Sequence, residues 1–240
     1  MRKLLEKKWL DKVWPALLAS AAVVSPLSAQ DGPSYEDILA GFSNPERWLT
    51  YSGDYSGKRH SPLQQITPEN VSGLRPVWTF QTGTTTRGRG FETTPLADDG
   101  VLYVTGSNNN AWAIDAHTGR TFWRYRRNLP NDLTYGASAP VNRGFGMLGD
   151  RLFMVTLDAH LLAFDRRNGD ILWDVELADY RVGYAATLAP LVLDGKVIVG
   201  ISARRASSTA HGSASATRRP IRHSTTACSA RWSCQRITRS

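Results

Sequence analysis

An all-β fold built from repeated, stacked units is predicted by three observations. Residues 95–123 (P-L-A-D-D-G-V-L-Y-V-T-G-S-N-N-N-A-W-A-I-D-A-H-T-G-R-T-F-W) are echoed by residues 146–173 (G-M-L-G-D-R-L-F-M-V-T-L-D-A-H-L-L-A-F-D-R-R-N-G-D-I-L-W). Asp115 and Asp165, Gly119 and Gly169, and Trp123 and Trp173 each lie 50 positions apart. A partial third copy, residues 190–200 (P-L-V-L-D-G-K-V-I-V-G), repeats the opening. A period of roughly 40–50 residues carrying several short strands is the mark of a propeller blade. The expected architecture is a partial β-propeller of about three blades with a disordered C-terminal tail.

Within a unit, residues 101–104 (V-L-Y-V) and 152–155 (L-F-M-V) are β-branched and aromatic runs that follow turn signals at Asp99-Gly100 and Gly149-Asp150. In each Asp-x-x-x-Gly turn the carboxylate can accept backbone N–H bonds while the glycine supplies a positive φ. Trp78, Trp123 and Trp173 each close a unit with a large apolar ring suited to packing between neighbouring blades. A four-stranded unit alone cannot bury both of its faces, so its neighbours must cover them. A closed propeller needs at least about four blades, so the recognisable units imply an open one.

Taken in order, residues 1–29 read as a secretory signal peptide. Arg2, Lys3, Lys7, Lys8 and Lys12 precede an apolar run over 13–27, and Ser28-Ala29 offers a cleavage site. A retained amphipathic anchor is the alternative; the run is too short and broken for a stable membrane span. Residues 30–65 form an N-terminal helix (35–39) and a linker, and the blades occupy 66–202. At the start of that region Thr67 and Pro68 read as the N-cap and first position of a helix. Residues 74–81 then read as the strand that carries Trp78.

The character changes at 203. Of the 38 residues in 203–240, 28 are Arg, Ser, Ala or Thr, with no Asp, Glu or Lys. Such a composition buries too little apolar area to offset ordering entropy. It reads either as a disordered basic tail or as out-of-frame translation of a GC-rich gene beyond Ser202, and the second accounts better for the bias. The net charge of +8 belongs to this segment, because its eight Arg leave the first 202 residues at 21 basic against 21 acidic. The charge therefore gives no support to a nucleic-acid partner. Cys228 and Cys234 also lie here, without the spacing of a four-ligand zinc site.

No phosphate loop, HExxH motif or Ser-His-Asp order occurs. Polar residues do recur at matching ends of the blades. Glu92 precedes the first strand of one unit, Arg143 precedes the next, and Thr187 and Ser202 flank the third. The innermost strands of a propeller line its axis, so these side chains would converge on a site for an anionic, planar ligand held by guanidinium and hydroxyl bonds. On spacing alone the alternative is a scatter of solvated loop residues.

Several motifs carry a specific resemblance. They are W-L-T-Y-S-G-D-Y-S-G-K-R-H-S-P-L (48–63), I-T-P-E-N-V-S-G-L-R-P-V-W-T-F-Q-T-G (66–83), V-N-R-G (141–144), T-L-D-A-H-L-L-A-F-D (156–165) and A-P-L-V-L-D-G-K-V-I-V-G-I-S (189–202). In this order and spacing they resemble the N-terminal part of the pyrroloquinoline quinone (PQQ)-dependent alcohol dehydrogenases of the methanol and ethanol dehydrogenase type. The resemblance implies an eight-bladed propeller in the periplasm that oxidises alcohols, or related sugars and polyols, by hydride transfer to PQQ beside a calcium or lanthanide ion. A cytochrome-type acceptor then takes the electrons. It also implies that Glu92, Arg143, Thr187 and Ser202 are cofactor-contacting positions.

The sequence departs from this pattern in three places. The family's adjacent cysteine pair falls at Ala137-Ser138. After G-I-S, where the family has a metal-binding Glu, this chain has Ala203, Arg204 and Arg205, and an Arg there would repel a divalent ion. The family's catalytic Asp and Asn metal ligand belong to later blades. The expectation is thus a fragment of a periplasmic oxidoreductase, inactive as written, with no catalytic or metal residue assigned. The alternative is a non-enzymatic propeller scaffold of the kind that helps assemble outer-membrane proteins.

Overall fold

The computed structural model describes residues 32–84, 91–133, 140–203, 224–229 and 234–238; for 203, 224–229 and 234–238 only the backbone is described. The signal-peptide reading of 1–29 and the Ala137-Ser138 position lie outside these residues.

The expected short helix is α1, Tyr35–Ala40. Ser34 caps it: its hydroxyl accepts from the Asp37 N–H (3.1 Å) while the Asp37 carboxylate accepts from the Ser34 N–H (2.8 Å). This reciprocal capping box satisfies two donors that a helix start leaves orphaned. The second expected helix is absent. Thr67 and Pro68 open only a tight turn, followed by a 3-10 turn at Val71–Gly73. The Asn70 side chain makes no cap bond to that turn; it reaches back instead, accepting from the Thr67 N–H at 2.9 Å and donating to the Gln65 carbonyl at 2.8 Å. Almost every apolar side chain nearby is exposed, so no buried face extends that turn into a helix.

The first blade is a four-stranded antiparallel meander: β1 (Leu96–Asp98), β2 (Val101–Thr105), β3 (Asn110–Asp115) and β4 (Thr121–Arg126). The second repeats it as β5 (Gly146–Leu148), β6 (Arg151–Val155), β7 (His160–Asp165) and β8 (Ile171–Glu176). The copies share even their irregularities. The third and fourth strands slip register between Ala113 and Ile114 in one and between Ala163 and Phe164 in the other. The third sheet pairs β10 (Leu191–Leu193) with β11 (Lys196–Gly200), and a short ladder joins β9 (Tyr184–Ala185) to β12 (Ser202–Ala203).

The third sheet is filled out by the tail. Its composition predicts no regular structure, yet the backbone of β13 (Ser224–Ser229) pairs with β11, and β14 (Cys234–Thr238) pairs with β13. The free edge of β11 presents unpaired N–H and C=O groups, and Thr- and Ser-rich segments can satisfy them without contributing a core.

The strands depart from strict alternation in an informative way. β6 and β7 are buried on both faces over Leu152–Val155 and Leu161–Phe164, whereas β4 and β8 show exposed positions along their length. The second blade is the middle one, covered on both sides, and its inner strands read as continuous apolar runs for that reason. The core collects there, around Phe145, Met147, Phe153 and Phe164.

The Asp-x-x-x-Gly turns and the tryptophans lock adjacent units together. Asp115 Oδ1 accepts from the His117 N–H (2.8 Å) and Asp165 Oδ1 from the Arg167 N–H (2.9 Å). Gly119 and Gly169 sit at φ +72° and +78°. A Cβ on Gly169 would meet the Trp123 ring at 2.7 Å, and one on Gly119 would meet the Trp78 ring at 2.7 Å. Trp123 Nε1 donates to the Arg166 carbonyl (2.8 Å), and Trp78 Nε1 to the Ala116 carbonyl (3.0 Å). Both rings thus take the expected place against a neighbouring turn. Trp173 instead packs on Phe153 of its own sheet, with centroids 5.9 Å apart. Residues 74–81 around Trp78 are not a strand, because no neighbouring strand among the described residues offers them a ladder.

These turns carry a pH signature. The Thr118 hydroxyl and the His117 N–H hold the Asp115 carboxyl below its ordinary pKa, and the Arg167 side chain does the same for Asp165. A depressed folded-state pKa stabilises the fold above the unfolded value of about 4 and ceases to do so as pH falls through the folded value. Thermal midpoints are expected to decline below about pH 4, and Asp165→Asn should flatten that decline. An unchanged acid limb in the variant would remove this explanation.

Candidate functional site at the inner ends of the blades

The segments that lead into the inner strands are joined backbone to backbone. The Thr94 N–H donates to the Arg143 carbonyl, and the Arg143 N–H donates to the Thr187 carbonyl, both at 3.0 Å. These bonds bring equivalent positions of three successive blades into one row. Gly144 permits the approach: at φ +137°, a Cβ there would lie 2.9 Å from the Thr94 carbonyl oxygen.

Three of the four residues singled out in the sequence meet along that row. Arg143 Nη2 pairs with Glu92 Oε2 at 2.7 Å, and Arg143 Nη1 donates to Thr187 Oγ1 at 2.5 Å. Both ends of the ion pair stay accessible, with Arg143 36% and Glu92 29% exposed. Ser202 is not hydrogen-bonded to this trio. Its hydroxyl donates to the Ala185 carbonyl (3.2 Å), which attaches it to the segment running into Thr187. The site is therefore one cation flanked by a carboxylate and a hydroxyl, with a second hydroxyl on the adjoining ladder.

Sequence reasoning missed the polar framework beneath. Asn142 is 1% exposed; its Nδ2 donates to the Val155 carbonyl (2.9 Å) and its Oδ1 accepts from the Gly144 N–H (3.0 Å). Asn109 donates to the same Val155 carbonyl (3.3 Å) and accepts from the Leu157 N–H (2.8 Å). An N-terminal arm was missed too: Trp48 pairs with Ala97 of β1, and Arg47 Nε binds Asp98 at 2.6 Å. Asp98 also holds Arg166 of the second blade. Farther out, Arg127 of the first blade grips Asp158 (2.7 Å) and Asp174 (2.5 Å) of the second. Burial pushes the Asp158 carboxyl pKa up, but hydrogen bonds from Arg127 and Thr156 outweigh it and keep the group below its ordinary value. The signal for Asn142 lay inside the V-N-R-G motif. For Asp98 and Arg166 there was none, because the two are 68 positions apart.

The donor set suits contact with an anionic, oxygen-rich planar group. The two bonds above use two of the five N–H donors of a guanidinium, and a hydroxyl can rotate to donate. A divalent cation is not matched: among the described residues no group of three or more His, Cys, Asp or Glu side chains could hold one. Glu92 is already paired with Arg143.

Repeated four-stranded antiparallel blades, stacked through turn–tryptophan contacts, define a partial β-propeller. Residues 48–217 match the family described as PQQ: glucose/ethanol/alcohol dehydrogenase, beta-propeller domain. The quinoprotein alcohol dehydrogenase PedH of Pseudomonas putida is 37% identical over 185 residues, 77% of this chain and 31% of that protein. The 1-butanol dehydrogenase (quinone) of Thauera butanivorans is 39% identical over 178 residues, 74% of this chain and 28% of the relative. Among solved structures, the quinohemoprotein alcohol dehydrogenase of Comamonas testosteroni superposes with a TM-score of 0.71 at 28% identity. That match covers 86% of this chain and 29% of the other. A europium-containing methanol dehydrogenase gives 0.67 at 29% identity, over 81% and 32% of the two chains. The chain belongs to the PQQ-dependent alcohol dehydrogenase β-propeller family, and it spans about a third of the length of these relatives.

Proposed function

We propose that this chain forms the first blades of a periplasmic PQQ-dependent alcohol dehydrogenase and supplies one wall of its cofactor site. The observation that carries the reading is the Glu92–Arg143–Thr187 row across three blades. Arg143 would bind carbonyl or carboxylate oxygens of PQQ, Thr187 and Ser202 would donate hydroxyls, and the Glu92 carboxylate would keep the guanidinium turned toward the site. When bound, PQQ would supply the two-electron acceptor for the hydride of the alcohol carbon, the hydroxyl proton passing to a base outside the described row, and the electrons would go on to a cytochrome-type acceptor. Relatives named as alcohol dehydrogenases and quinohemoproteins support the alcohol substrate and the electron route. Residues 1–29 would direct export. Among the described residues no helix is long and apolar enough to cross a membrane.

As a separate polypeptide the chain is expected to be inactive. Arg204 and Arg205 stand where the resemblance implies a calcium- or lanthanide-binding carboxylate, and no side chain in the described row is placed as a general base. Purified chain mixed with PQQ, calcium ions and ethanol should show no alcohol-dependent dye reduction. Dye reduction that required both calcium and PQQ would overturn this. The contact reading is tested separately by equilibrium dialysis with PQQ alone. Weak binding abolished by Arg143→Ala supports it, binding unaffected by that change would remove Arg143 as the contact, and no binding at all would favour the scaffold alternative.

A further inference from the structure

We infer that Asn142 is the positioning residue for Arg143: its buried carboxamide fixes the backbone on either side of the arginine and so aims the guanidinium. This rests on the reading of Arg143 as the cofactor contact, and it adds a residue that touches no ligand. Its Oδ1 and Nδ2 close two bonds of opposite kind, to the Gly144 N–H and the Val155 carbonyl. The first spans Arg143 itself and turns the chain into a loop with that residue at its tip. The second anchors the loop to the end of β6, on the carbonyl that also receives Asn109 from the first blade. Arg143 meanwhile gives its N–H to Thr187 and its carbonyl to Thr94. The backbone at 142–144 is thus held from three blades, and the side chain has little freedom except about its own torsions.

An apolar residue of the same shape at 142 would leave the Gly144 N–H buried without a partner, a penalty comparable to a whole hydrogen bond. The 142–144 segment would then open more often than the rest of the blade. Gly144→Ala should disturb the same segment from the other side, through the contact its Cβ would make with the Thr94 carbonyl.

The test uses the full chain and phenylglyoxal, an arginine-selective reagent, with modification followed at each arginine by mass spectrometry. In Asn142→Leu and in Gly144→Ala the rate at Arg143 should rise about tenfold, while the rate at Arg127, held in its own ion pairs, stays unchanged. A rise shared by all arginines, or none at Arg143, would overturn the inference. Should neither variant fold, amide exchange in the unaltered chain decides. The Gly144 N–H is expected to exchange at least about 100-fold more slowly than an open peptide, and fast exchange there would exclude the role. Added PQQ should protect Arg143 in the unaltered chain. If it does not while the variants behave as expected, the positioning stands and the cofactor reading falls.

Discussion

Asp98→Ala is expected to cost about 3–5 kcal/mol of folding free energy, the scale for stripping a buried ion cluster of its shared partner. Asp98 is 3% exposed and serves two cations, Arg166 from the second blade and Arg47 from the N-terminal arm. Arg166 is itself only 8% exposed, and its Nε has no hydrogen-bond partner even in the intact cluster. Removing the carboxylate leaves a largely buried cation whose remaining carboxylate neighbour is Asp150, 3.9 Å from its Nε. Asp98→Asn, which keeps one acceptor and the shape, should lose less. Lys196→Ala, which breaks an exposed pair with Asp194, should stay within about 0.5 kcal/mol. Urea unfolding of the three variants checks the order. An Asp98→Ala chain as stable as the Lys196→Ala chain would show that the cluster contributes nothing.

Trp123→Ala should be comparably severe, about 3–5 kcal/mol for deleting a buried aromatic without repacking. Its ring rests on Gly169, runs nearly parallel to Phe164 (8° between planes, 6.3 Å between centroids), and anchors its N–H on the Arg166 carbonyl. Trp173→Ala removes the equivalent residue of the second repeat but should cost clearly less, since that ring is only partly buried and rests on its own sheet. Equal losses for the two would contradict the account of blade locking given by the Gly169 contact. Because Arg166 receives Trp123 on its backbone and Asp98 on its side chain, the two large effects share a residue. The double variant is expected to lose less than their sum.

These contrasts mark where the sequence can be read directly. Repetition is visible because a blade must solve one problem several times: a tight turn that feeds a ladder and an aromatic ring that covers the next turn. Asp115 with Gly119 and Asp165 with Gly169 announce the turns, since only a short acceptor and a residue tolerant of positive φ serve there. The residues of the candidate site were legible for the same reason. Glu92, Arg143 and Thr187 stand at matching ends of successive repeats, and the repeat converts equal sequence phase into a shared site.

Periodicity alone did not reveal which strands would be buried on both faces. β6 looks much like β2 in sequence, yet β6 is buried over Leu152–Val155 while Val101, Leu102 and Val104 of β2 stay partly exposed. β3 is buried over Asn110–Ile114 as fully as β7 over Leu161–Phe164. It also misjudged Leu74–Gln81: a strand exists only where another backbone meets it, and Trp78 docks without one. The strand pairing within 203–240 follows from the open edge of β11 rather than from any pattern in the tail.

The sequence by itself determined the unit, its turns, its tryptophan locks and the phase of the site residues, because each depends on local geometry repeated at a fixed interval. Only the tertiary structure decided that Asp98 must neutralise Arg166 and Arg47, that Asn142 and Asn109 share the Val155 carbonyl, and that Ser202 stands on a different ladder from Arg143. Those partners are brought together by the stacking of blades. Buried polar groups must find partners wherever packing puts them, and sequence spacing carries no record of that choice.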